Sequence, residues 1–242
     1  MPTITNTDSS HAAGTPSVTS DNLQERLAEA ARYAVLLRIA PVLRHDVAGF
    51  MQPVGMLMLV LQRRVQMPEP DMQAIVKNVM AVSALAKEAT TGCMNAMAWM
   101  ASTGEALVGM RCSVDQAIKL LAMELSGSAL QIVNNLPDDT TEIPQSFLRS
   151  VLMGALLAFC DQRTTGGKLQ LSFEAEPGHG SVTPRLMLRM SPDGAALPPA
   201  PADAVHKTRS IDWQDVAAMA GSLGLSMSRG EGWLALDLPT AE

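Results

Sequence analysis

The sequence predicts an α+β protein in two parts, an antiparallel helical hairpin followed by an α/β sandwich, and three observations carry that expectation. Apolar residues recur at helical spacing over two long runs, about 21–66 and 71–101, with only Met67-Pro68-Glu69-Pro70-Asp71 between them. Beyond Ser102-Thr103-Gly104 the pattern changes to short alternating runs punctuated by Gly, Pro and Asn. A lone hairpin leaves one apolar side wet, and the rest of the chain offers no two further long helices to cover it. Homodimerisation into a four-helix bundle is the economical solution. The expected boundaries are a disordered tail over 1–20, the hairpin over 21–103 and the sandwich over 104–242.

Composition removes several classes of function. With 18 Lys and Arg against 24 Asp and Glu, the net charge of −6 gives no basic stripe of the kind that neutralises phosphates, so no nucleic-acid partner is expected. The most apolar run, Pro53 to Leu61, is far shorter than the roughly 18–20 residues of a membrane span, so no membrane is expected either. The first residues lack a charged flank followed by an apolar run, so no secretory leader and a soluble cytoplasmic protein are expected. Cys93, Cys112 and Cys160 are odd in number and each set in apolar sequence, which suggests buried thiols in a reducing compartment and no zinc site. Methionine is abundant, 17 residues against three Trp, one Tyr and four Phe, so flexible thioethers fill a core or an interface.

In order along the chain, residues 1–20 are rich in Thr, Ser, Gly and Pro without apolar period, and His11 within them carries no signal. From Asp21 the helix places Leu23, Leu27, Ala31, Ala34 and Leu36 or Leu37 on one stripe, with kinks at Pro41 and Pro53. Asp71 is placed to cap the second helix, whose apolar residues, among them Met72, Val79, Ala86, Cys93 and Met100, keep a near-heptad spacing. Next come a strand from Leu107 to Val114, a helix capped by Asp115, and a strand at Leu130-Gln131-Ile132-Val133. Pro144 opens an apolar helix, Gln145 to about Gln162. Strands Lys168–Glu174 and Thr183–Met190 follow, joined around Pro177-Gly178-His179-Gly180 with His179 a loop residue. Ser191 to Arg209, His206 included, reads as a long loop, Asp212 caps a helix from Ile211 to Gly221, and strands Leu223–Ser228 and Trp233–Leu238 flank the turn Arg229-Gly230-Glu231-Gly232.

The residues that point to chemistry are Arg44-His45-Asp46. A histidine beside a carboxylate can be held in one tautomer, leaving one ring nitrogen with its lone pair for attack on phosphorus. On a helix the same-face neighbours of His45 are Pro41, Val42, Ala48 and Gly49, all short, so nothing on its own helix covers the ring. Arg44 is placed to steady an incoming phosphoryl charge, and Asp46 lies about 100° round the helix, within plausible reach of the imidazole.

A histidine-bearing hairpin followed by this order of strands and helices resembles the core of bacterial sensor histidine kinases, over about residues 22–240: a dimerisation and phosphotransfer hairpin, then a GHKL-type ATP-binding sandwich. His45-Asp46 is similar to that family's H-box, although the proline usual five residues after the histidine is replaced by Phe50 and Pro53 comes eight after. Ser146 to Phe159 resembles the N-box helix, whose asparagines hold magnesium and phosphates; at the two asparagine positions stand Gly154 and Ala158, which offer no oxygen ligand. Met190 to Leu197 resembles the box with the adenine-binding aspartate, but Pro192 stands in the aspartate's place, Asp193 is one residue late, and Gly194 is kept while Ala196 replaces the second glycine. Pro198, Pro199 and Pro201 occupy the position of the Gly-rich phosphate lid.

The resemblance therefore implies a retained fold with lost nucleotide chemistry. It implies a dimeric histidine phosphotransferase in which His45 takes a phosphoryl group from the receiver domain of a response regulator and passes it to another. No ATP or other cofactor is required, and Mg2+ comes with the receiver. Met51, Met56 and Met58 either help dock the receiver or pack the bundle. The rivals are a pseudokinase scaffold that is never phosphorylated and a true ATP-dependent kinase with a divergent pocket.

Overall fold

The computed structural model describes residues 20–100, 106–122, 130–137, 142–162, 165–177, 182–196 and 209–238. The expected tail up to residue 19 with His11, the link at 102–104, the turn holding Gly178 and His179, and residues 197–208 with Pro198, Pro199, Pro201 and His206 lie outside the described residues.

Helix α1, Ser20–Val65, runs 46 residues and stays helical through Pro41 and Pro53. Each proline deletes one backbone hydrogen bond, and the unbroken turns on either side carry the helix past it. Its buried face is not the expected stripe. Leu23 and Leu27 are 51% and 48% exposed, while Ala28, Ala31, Ala34, Val35, Ile39, Val42 and Leu43 are buried. Small residues win here because they let another helix approach the backbone closely, which Leu23 and Leu27 would hold off. Asp71 ends the connecting turn as expected: its carboxylate accepts from the Ala74 N–H at 3.1 Å. Helix α2, Met72–Met100, then returns antiparallel along α1.

The second part opens with β1, Leu107–Gly109, and α3, Met110–Leu120. The helix therefore starts ahead of Asp115, which is no cap: Gly109 holds that position, and the Asp115 carboxylate accepts from Asn134 Nδ2 at 2.9 Å. The run that alternates as a strand also satisfies a helical period, with Met110, Ser113, Val114 and Ala117 all buried, and packing selects the helix. β2 spans Leu130–Asn134. β3, Glu142–Pro144, unforeseen in the sequence, pairs antiparallel with β1.

A continuous helical run, α4, follows as Gln145–Phe147, a π-helical stretch Leu148–Leu152, and Met153–Asp161. It is the spine of the sandwich, with every residue from Val151 to Phe159 buried. β4, Thr165–Pro177, and β5, Val182–Ala196, are longer than their apolar alternation. The expected loop from Ser191 is thus strand for its first six residues, because β4 continues opposite it and pairs Thr165 with Ala196. Helix α5, Trp213–Ser222, starts at the foreseen cap, Asp212, which accepts from Gln214 and Asp215 and forms a reciprocal capping box with Asp215. Gly224, at φ +69°, follows the helix, so the expected strand from Leu223 begins only at β6, Met227–Gly230. The β6–β7 turn shrinks to Glu231-Gly232, with Gly232 at φ +73°, where glycine alone is unstrained, before β7, Trp233–Asp237.

The five-stranded sheet has the order β2-β4-β5-β7-β6, with β2 parallel to β4 and the other pairs antiparallel. Together with the hairpin this is the α+β architecture predicted. The helices cover the sheet face that buries Leu169, Leu171, Leu186, Leu188, Leu234 and Leu236, and one core cluster runs without a break from these leucines through α4 and α5 to Val35, Ile39 and Leu43 of α1. No helix of the described residues is long and apolar enough to cross a membrane.

Candidate functional site: a histidine where helix α1 leaves the core

Two features of α1 bracket the candidate site. Arg38 lies in the apolar stripe between Val35 and Ile39 and is only 3% exposed. Its guanidinium grips the Asp161 carboxylate from both nitrogens, with Nη1 to Oδ2 at 2.9 Å and Nη2 to Oδ1 at 3.2 Å, and Asp161 Oδ2 also accepts from the Ile211 N–H at 2.8 Å. One buried carboxylate thus ties α1, the end of α4 and the entry to α5 together. The second feature is a contact across the hairpin. A Cβ on Gly92 would lie 2.4 Å from the Phe50 ring, so the glycine of α2 makes room for that ring.

Between them stands His45, its side chain 79% exposed. Nδ1 is 3.6 Å from Asp46 Oδ1, close enough for electrostatic orientation and longer than a hydrogen bond, so Nε2 is the nitrogen away from the carboxylate. Val42, one turn before, is buried, while Pro41, Ala48 and Gly49 are exposed, and a Cβ on Gly49 would meet nothing within 4 Å. The ring is therefore open to an approaching partner. Arg44 is exposed beside it, a cation without an ion pair among the described residues. Met51, Met56 and Met58, below the histidine, are 52%, 70% and 48% exposed.

The positions that resemble a nucleotide site have other surroundings. Gly154 and Ala158 lie one turn apart on α4, both buried. A Cβ on Gly154 would come within 2.4 Å of the Met219 methyl, and Val216 is next nearest at 3.7 Å, so α5 fills the space an asparagine side chain needs. Pro192, Asp193 and Gly194 belong to β5, and Pro192 stands opposite Gly167 in the β4–β5 ladder. Among the described residues no three His, Cys, Asp or Glu side chains cluster where they would hold a metal ion. None of the three cysteines is in a disulfide; Cys93 and Cys160 are half-buried, and Cys112 is exposed on α3, contrary to its expected burial, because it faces away from the Met110–Val114–Ala117 stripe.

No protein-family model matches the sequence. No curated protein matches it either. Solved structures to which the chain is similar include histidine kinases and a phosphotransferase. The Acinetobacter baumannii histidine kinase AdeS is 14% identical, with a TM-score of 0.39 over 77% of this chain and 96% of its own. A histidine kinase from Burkholderia phymatum STM815 is 18% identical, with a TM-score of 0.39 over 84% of this chain and 95% of its own. A bacterial phosphotransferase is 12% identical, with a TM-score of 0.35 over 85% of this chain and 95% of its own. What the chain does is therefore read from its own side chains.

The sequence singled out His45, Asp46 and Arg44, and the structure brings all three to one exposed stretch of α1. It gave no warning of the Arg38–Asp161 clamp. The signal was present: an arginine inside an apolar helical stripe has to find a buried anion, and Asp161 ends the most apolar helix of the chain.

Proposed function

We propose that the chain is a histidine phosphotransferase of a two-component phosphorelay, acting as a homodimer and exchanging a phosphoryl group with receiver domains of response regulators. The observation that carries the reading is the His45 imidazole, 79% exposed on an open helix face with Nδ1 toward Asp46. Nε2 attacks the phosphorus of a receiver's aspartyl phosphate. The P–N bond forms as the P–O bond to the acyl oxygen breaks, the receiver's carboxylate leaves, and the positive charge on the ring is held beside Asp46. Transfer to a second receiver is the reverse step. Arg44 screens the phosphoryl oxygens. An acyl phosphate is already activated, so no nucleotide enters the reaction, and the receiver's own carboxylates bring Mg2+.

Nucleotide and magnesium do not fit the sandwich as built. Gly154 and Ala158 present no oxygen donor, and the Met219 methyl occupies the place a longer side chain at 154 would take. That supports a phosphotransferase over an ATP-dependent kinase.

The test is incubation of the full chain with receivers phosphorylated on aspartate. Acid-labile, base-stable label on the wild type and none on His45→Ala supports the reading. Label on neither, with a receiver retained on the protein, replaces it with a scaffold that binds and never reacts. Mg-ATP is expected to leave the melting temperature unchanged, whereas a bound nucleotide would raise it.

A further inference from the structure

A hollow of about 510 Å³ opens where the first half of α1, the last turn of α2 and the first turns of α4 meet. That is the size of a small-molecule site and far more than one water fills. Its apolar walls come from separate segments: Leu36 and Ile39 of α1, Trp99 of α2, and Leu223 just beyond α5. Ile39 is 2% exposed and the other three are half-buried. Water against such walls finds few polar partners, so an apolar guest displaces it favourably. Four charged residues edge the hollow, and three of them are already engaged. Arg32 reaches Glu25 at 3.4 Å and also donates to the Ser222 hydroxyl, and Arg149 makes an interaction of its own. The fourth, Glu29, is exposed and has no ion pair among the described residues. It stands one helical turn from Tyr33, whose ring lines the hollow together with that of Trp99.

We propose that this hollow is a binding site for a small organic cation, an amine or ammonium head carried on an apolar body. The body occupies the space between Leu36, Ile39 and Leu223, and the head pairs with the Glu29 carboxylate, the one charge at the rim that nothing in the described chain neutralises. Two aromatic rings beside a carboxylate favour a cation further, because a positive charge is attracted to the ring faces as well as to the anion. A ligand with an anionic head meets the opposite situation. It would lie against Glu29 and would have to take Arg32 from Glu25 and Ser222. A small molecule is the occupant because the hollow is concave and walled by four separate segments, a shape that a helix or a flat protein surface does not enter. A guest here touches α1, α2 and the end of α5 together, so binding stabilises the junction of hairpin and sandwich. The site is independent of the reading of His45.

The experiment uses the full chain and three probes with one body and different heads: 4-phenylbutylamine, 4-phenylbutanol and 4-phenylbutyrate. Affinities are measured by isothermal titration calorimetry at neutral pH, with melting temperature as a second readout. The amine is expected to bind at least about fivefold more tightly than the alcohol and about tenfold more tightly than the acid, and to raise the melting temperature. Glu29→Gln is expected to bring the amine down to the affinity of the alcohol, and Glu29→Lys to make the acid the better ligand. Both changes are at an exposed position, so the variants are expected to fold like wild type. Leu36→Trp, which fills the hollow, is expected to abolish binding of all three probes, and Trp99→Leu to weaken the amine most. Wild type that binds none of the probes at millimolar concentration overturns the proposal. So does an acid bound as tightly as the amine, or a preference that both Glu29 variants leave unchanged. If the filled variant fails to fold, the Trp99→Leu protein decides the location: amine binding that is unaltered there places the probe elsewhere on the molecule and overturns the site.

Discussion

From Ala28 to Leu43, α1 is part of a protein core: its inward residues are buried and its buried cation, Arg38, is clamped by Asp161. From Arg44 to Val65 no residue of the same helix is buried, and its inward positions are covered only halfway by α2. The same contrast holds on α2, where Ala89, Gly92 and Ala96 are buried and nothing from Met72 to Glu88 is. The upper half is stabilised by what the chain itself provides, and the lower half leaves apolar side chains such as Met56, Leu59 and Met80 exposed. His45 stands two residues beyond Leu43, the last buried residue of α1, on a helix anchored in the core on one side of it and exposed on the other. The sandwich shares a continuous core with the helix that carries the histidine.

The strongest way to break this contrast is to cut the clamp. Arg38→Ala leaves the Asp161 carboxylate buried with the Ile211 N–H as its remaining described donor, and the loss of stability is expected to be about 3–5 kcal/mol by urea denaturation. Replacing both partners, Arg38→Met with Asp161→Leu, is expected to recover most of that, since a buried ion pair adds little over well-packed apolar groups. A single substitution costing under about 1 kcal/mol would mean that the upper half is held by α1–α5 packing alone.

The next effect tests the filled site on α4. Gly154→Asn forces a polar side chain into the Met219 methyl and is expected to destabilise by about 1–3 kcal/mol, with no gain of Mg-ATP binding. Adding Met219→Ala is expected to relieve the overlap. A melting temperature that rises with Mg-ATP in the double variant would show that two side chains are all that separates this sandwich from a nucleotide site.

These predictions also mark where the sequence was legible. The hairpin, its Asp71 turn, α4 and the Asp212 cap follow from local signals, namely period, proline and capping residues, which act within a turn or two of chain. The exposure of His45 followed from the short residues around it. What sequence did not reveal depends on contacts between distant segments. The buried face of α1 was chosen by α5, which favours Ala28 and Ala31 over Leu23 and Leu27. The start of α3 was chosen by packing between two periods that its residues satisfy equally well. β3 is three residues long and exists only because β1 is there to pair with it.

Across the hairpin, Gly92→Ala measures how tightly the lower half begins. Its new methyl meets the Phe50 ring at 2.4 Å, but the ring is 40% exposed and free to swing outward, so the expected cost is about 1 kcal/mol. The informative quantity is the rate of the proposed phosphotransfer at saturating receiver: a fall larger than the loss of folded protein would show that the Phe50 ring spaces the helices beneath His45.

The smallest effects compare one device in the two regions. Asp212 caps α5 through Gln214 and Asp215 at 2.8 and 2.9 Å, its N–H is returned to Asp215 at 3.1 Å, and Asp215 is itself held by both Arg209 nitrogens at 2.7 Å. Asp71 caps α2 through one exposed bond, to Ala74 at 3.1 Å. Removing either side chain deletes the same chemistry, yet at Asp212 the reciprocal bond and the Arg209 pair are anchored on a helix packed into the core, whereas at Asp71 water replaces the lost oxygen. Asp212→Ala is therefore expected to cost about 1–2 kcal/mol and Asp71→Ala about 0.5 kcal/mol. Hydrogen exchange of α2 amides near Met72 that is fast in both wild type and Asp71→Ala monomers, and slowed on raising the protein concentration, would place the stability of the lower half in association and not in its cap.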